Sequence, residues 1–125
     1  MSHAYQYVVV RFVPRVDRGE CLNVGVVLHS QSAGVLRCAW HLDEARILAL
    51  APDADLESLR GALDAVGGMC ERPPAGVDAT LTTQGKRFGW LSAPRSTVVQ
   101  PGPVHGGSAP DPAAEVERLL DRLVR

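Results

Sequence analysis

The chain has 125 residues, 46% of them apolar, and a formal net charge of −1 at pH 7. That length suits one domain with one core, and the mean hydropathy near zero is that of a globular chain, not a disordered tail. Apolar runs such as Tyr7–Val10 and Val24–Leu28 fall far short of the ~20 residues of a membrane-spanning helix, and the charge balance argues against a general nucleic-acid binder.

The opening segment, MSHAYQYVVV, has no basic stretch followed by an apolar core and a small-residue cleavage site, so a cytoplasmic location is the expectation. YQYVVVRFVPR reads as a strand because β-branched and aromatic residues dominate it. Alternation places Tyr5, Tyr7, Val9, Arg11, Val13 and Arg15 on one face, and Gln6, Val8, Val10 and Phe12 on the other. The second set carries no charge and is the expected buried face. Pro14 ends the strand or puts it at an edge.

RVDRGE is a polar turn with Gly19 available for a positive φ. CLNVGVVLHS and GVLRCAWHL follow as two more strands, joined by SQSAG, which makes residues 4–41 an antiparallel meander. Residues 43–68 are helical. LDEARILAL stops before Pro52, and DLESLRGALDAVGG carries Leu56, Leu59, Leu63 and Val66 at helical spacing. Asp55 suits its N-cap, and Gly67 and Gly68 suit its end.

Residues 69–85 read as a variable loop, with a Pro-Pro pair and small polar residues. In the aromatic and proline-rich stretch 86–107, Phe88–Leu91 suggests a helical turn and STVVQ a fourth strand. Residues 111–124 form a final helix, with Asp111 and Pro112 at its start and Val116, Leu119, Leu120 and Leu123 in one apolar stripe that needs the sheet to cover it. The expected fold is therefore α+β: an antiparallel sheet of about four strands, with two to four helices packed on it.

From Ala79 to Pro110 there is no Asp or Glu, while Lys86, Arg87, Arg95 and His105 all lie inside. An anionic group would be favoured there, with Arg95 offering a bidentate fork and Ser96 a hydroxyl. The competing assignment is a solvated basic rim with an aromatic plug over the core. A second candidate region surrounds the first turn, where Arg15, Arg18, Glu20 and Asn23 cluster. An amide in an apolar strand must find partners, and Gly25 in mid-strand leaves room for another segment, such as Trp90, to cross.

The cysteines Cys21, Cys38 and Cys70 form no paired motif and read as reduced small hydrophobes. The four histidines lack the spacing of a metal site, and no nucleophile elbow or phosphate loop is present, so neither a catalytic residue nor a cofactor or metal is assigned.

YQYVVVRFVPRVDRGECLNVGVVLHS and RFGWLSAPRSTVVQPGPVH, followed by the amphipathic helix, resemble the domain of unknown function 3037 family of small bacterial proteins. The resemblance covers essentially the whole chain and highlights Arg15, Glu20, Asn23, Gly25, Arg95, Ser96, Gln100 and His105. It implies no established activity. Genes of that family often lie beside those of kinases similar to HipA, which implies such a kinase as a protein partner.

Two functions follow as expectations. One is a non-enzymatic accessory or protein-interaction domain that uses the strand face of Tyr5, Tyr7 and Arg11, or the basic loop around Arg95, to hold a partner protein or an anionic group on one. The other is a small enzyme or sensor for a phosphate-bearing or nucleotide ligand, clamped by Arg15 and Arg95 with Ser96 donating and Glu20 or His105 handling a proton. The second requires Arg15, Asn23, Arg95 and His105 to share one concave pocket.

Overall fold

A computed structural model of the chain describes residues 1–73 and 81–125. The expected meander is present as β1 (His3–Phe12), β2 (Leu22–Ser30) and β3 (Val35–Trp40). Three helices follow, α1 (Glu44–Leu50), α2 (Leu56–Glu71) and α3 (Gln84–Ser92), then β4 (Val99–Pro101), β5 (His105–Ala109) and α4 (Pro112–Leu123). The fold is α+β, an open antiparallel sheet with four helices. The sheet has five strands where the sequence predicts about four.

The sheet runs β3-β2-β1-β4, with β5 also paired to β1. β4 meets the end of β1, Phe12 opposite Val99, and β5 meets its beginning, Tyr7 opposite His105. Together they form one interrupted strand along a single edge of β1, with Gly102 still donating its N–H to Val9 (2.8 Å) across the break. The PGPVHGG stretch hides this strand because proline and glycine are depleted from regular strands. Proline is tolerated here because the outer edge of β4 and β5 pairs with no further strand among the described residues.

The two faces of β1 pack under different helices. Val8, Val10 and Phe12 point with Val24, Val27 and Leu36 into a core closed by α1, α2 and α3. Tyr5, Val26, Leu28 and Ala109 point the other way, beneath Val116, Leu119 and Leu120 of α4. Sequence alternation correctly selects Val8, Val10 and Phe12 for burial, whereas Gln6, of the same set, is exposed near the start of the strand. The opposite face is nevertheless buried at Tyr5 and Val9, because the apolar stripe of α4 covers that side.

Turns and caps follow local chemistry. Gly19 (φ 71°) closes the turn after β1, and Gly34 (φ 66°) closes the one between β2 and β3, in the region where a Cβ is disfavoured. Asp43, Asp55, Thr83 and Asp111 each cap a helix by accepting a backbone N–H. α2 does not end at Gly67 and Gly68; it runs on to Glu71, because buried Cys70 and half-buried Met69 extend its apolar face into the core. The expected loop is thus helical as far as Glu71 and again from Gln84, while residues 74–80 lie outside the described residues.

Two glycines are required for the space they leave. At Gly25, an added Cβ would lie 3.1 Å from the Ala39 carbonyl oxygen and from the Trp40 Cβ. The crossing neighbour is therefore the paired strand β3 with Trp40, and not Trp90. At Gly107, a Cβ would lie 2.5 Å from the Tyr5 ring, which rests directly on the β5 backbone. Gly107→Ala should lower stability to denaturant by about 1–3 kcal/mol, as overpacking does. In a Tyr5→Ala background the same change should cost about nothing, and a double-mutant cycle measures the difference.

Candidate functional site

Beside the helix-covered core lies an open groove of about 690 Å³. Its floor is Phe12, Leu59 and Leu91, one wall is α2, and the other is the segment from Trp90 to Val99. α2 supplies two neighbouring stripes. Leu59, Leu63 and Cys70 enter the core, while Ala62, Ala65, Val66 and Met69 line the groove. Small alanines on the helix hold the groove open where larger side chains would fill it. Its charged groups are few: Asp53 and Asp55 from the α1–α2 connection, and Arg95 from the α3–β4 connection.

Pro94 builds the rim. A proline disfavours helical backbone in the residue before it, and Ala93 accordingly turns extended (ψ 134°) and ends α3. Arg95 then folds back. It donates to the carbonyls of Trp90 and Ala93, the latter at 3.4 Å, and lays its guanidinium 4.4 Å above the Trp90 ring. A cation over an indole and near the carbonyl end of a helix is doubly favoured. Trp90 remains 48% exposed and Val98 likewise 48%, so the groove has an apolar, solvent-facing rim. Arg95 forms no ion pair among the described residues.

The carboxylates opposite are partly engaged. Asp55 accepts from the Ser58 N–H at 3.1 Å and from its hydroxyl at 2.7 Å, and these bonds hold its carboxyl below the usual range. Asp53 is exposed.

The other sequence candidates lie elsewhere. Arg15 pairs with Asp17 at 2.7 Å, and Arg18 with Glu20, on the exposed turn after β1. Ser96 is exposed beside the groove and does not line it. Asn23 donates to the Leu123 carbonyl at 3.1 Å, on the α4 side of the sheet. His105 packs its ring 5.3 Å from Tyr7 on the sheet edge. Tyr5 is buried, whereas Tyr7 and Arg11 are half-exposed. The groove thus takes Arg95 alone from the set of Arg15, Asn23, Arg95 and His105.

Arg87 plays a part that its neighbours in sequence conceal. It is 5% exposed and donates from Nε to Met69 O (2.8 Å) and from Nη1 to Thr82 O (3.0 Å) and Leu81 O (3.3 Å). It satisfies a carbonyl in the last turn of α2 and fixes α3 beside that helix, so it is no part of a basic surface. The signal was its spacing: Arg87, Phe88 and Leu91 fall on one helical face, and both neighbours are buried. Cys38 and Cys70 are free and line the core, where burial pushes both thiols up to about 12, so neither is a thiolate at neutral pH.

An antiparallel sheet with helices on both faces and an open groove beside α2 defines an α+β domain. The chain belongs to the family described as protein of unknown function (DUF3037), whose model matches residues 7–124. Comparison with curated proteins and with solved structures finds no match.

Arg87 ties α3 to the last turn of α2, and both helices contribute residues to the groove. Arg87→Met, which keeps most of the volume, should cost about 2–3 kcal/mol in chemical denaturation through loss of charge-assisted bonds to buried carbonyls. A change below ~0.5 kcal/mol would show that those bonds contribute nothing.

Proposed function

We propose that this chain is a non-enzymatic interaction domain that binds a partner protein through the groove beside α2. The occupant is an apolar segment of the partner, helical or extended, that carries a carboxylate to meet Arg95. The observation that carries this reading is the pairing of a half-exposed Trp90 with an Arg95 that forms no ion pair among the described residues, at the rim of a mainly apolar cleft. Trp and Arg are the residue types that most often dominate binding energy, and an apolar groove walled by a helix is a common way to hold a short segment. Asp53 and Asp55 on the other wall favour a partner segment with basic residues on that side.

A kinase similar to HipA, implied by the family resemblance, is the first partner to test. Titration calorimetry with the purified kinase should show binding to the wild-type domain. Trp90→Ala and Arg95→Glu should each weaken it at least ~10-fold, or about 1.4 kcal/mol. Gln6→Ala, at an exposed position of β1, should leave affinity within ~2-fold, as surface substitutions away from a binding site do. Undiminished binding by both groove variants would remove the groove from the interaction, and no binding by the wild type would remove this kinase as its occupant.

A further inference from the structure

The other face of the sheet carries a second arrangement that the groove does not use. Arg11 stands in register between Asn23 of β2 and Gln100 of β4. Directly paired residues share a face, so a guanidinium and two amides form one row across three strands. The bond from Asn23 to Leu123 O places that row on the α4 side. α4 packs mainly over β2 and β3, so Arg11 and Gln100 are left half-exposed.

The guanidinium is positioned by packing. It lies on Gly102, where a Cβ would come within 2.9 Å of its Cζ and 3.1 Å of Nε and Nη2. Its Nε is fully buried and has no hydrogen-bond partner, and Arg11 forms no ion pair among the described residues. A buried donor without an acceptor is rare and costly, and here it belongs to a charged side chain held flat against the backbone. Its terminal nitrogens are the part left to reach a partner, on the face that Gln100 shares.

We propose that the Asn23–Arg11–Gln100 row is a binding site for a carboxylate. One carboxylate oxygen would accept from an Arg11 terminal nitrogen and the other from the Gln100 side-chain amide, while Asn23, oriented by Leu123, contributes its second N–H. A single carboxylate fits the charge of the row, in which Arg11 is the one cation. This site is separate from the groove and does not rest on the reading given for it.

The test uses the intact protein and amide resonances of Gln100, Asn23 and Gly102. Three probes are titrated at constant ionic strength: sodium acetate, an N-acetylated alanine tripeptide with a free C-terminal carboxylate, and the same peptide as its C-terminal amide. Inorganic phosphate is the competitor. The proposal expects saturable shifts at the row from the carboxylate probes and none from the amide. Tighter binding of acetate points to a small free acid, and tighter binding of the peptide acid to a chain terminus. Arg11→Gln and Gly102→Ala should each weaken binding more than ~10-fold. Gly102→Ala acts by pushing the guanidinium away, and it meets only the end of a flexible side chain, so the fold should survive it. Absence of saturable shifts, shifts that persist in Gly102→Ala, or tighter binding of phosphate than of either carboxylate would overturn the assignment.

Discussion

The structure depends on β1 being engaged on every side. One edge pairs with β2, the other with β4 and β5, one face is buried under α1, α2 and α3, and the other is covered by α4 at Tyr5. Its run of Val8, Val9 and Val10 is buried without alternation, which is what a strand covered on both faces requires. Each such side chain contributes roughly 1.5–3 kcal/mol of apolar burial. Among the described residues no other strand pairs with strands from both halves of the sequence, since residues 99–109 return to its free edge.

That return also makes both proposed surfaces. Val99 and its neighbours wall the groove on one face, while Gln100, the next residue, faces the other side opposite Arg11. Alternation in a three-residue strand thus assigns one residue to each surface. The two arginines that matter are handled in different ways. Arg95 is held by an indole and two carbonyls, and Arg11 by the absence of a side chain at Gly102. In both, the charge is fixed in place without a carboxylate from the described residues.

Much of the fold was legible in the sequence, for identifiable reasons. The meander shows in β-branched runs broken by glycine turns, and α4 in its Asp-Pro start and four-residue stripe. β5 was not legible, since HGGSA has almost no strand propensity and is held by pairing and by the Tyr5 ring above Gly107. The end of α2 was misplaced because glycines weigh against a helix locally, and tertiary packing of Cys70 outweighs them. Alternation marks one buried face of β1, yet Tyr5 and Val9 on the other are buried too, because strand alternation alone cannot say how many helices cover a sheet. As for the sites, the acid-free window does mark the groove's rim at Arg95. What the groove needs besides, a second apolar stripe on α2, looks in sequence like ordinary core.

The account's central claim is that β4 and β5 dock along β1 and so create both surfaces. Hydrogen exchange at two amides tests it most directly: Val13 N–H, bonded to Val98 O at 2.7 Å, and Gly102 N–H, bonded to Val9 O at 2.8 Å. Both should be protected nearly as strongly as the β1–β2 amides of the core, opening only with global or near-global unfolding. Exchange at these two positions as fast as at the exposed turn of Arg15–Gly19 would contradict the docking, and with it the groove wall and the polar row together.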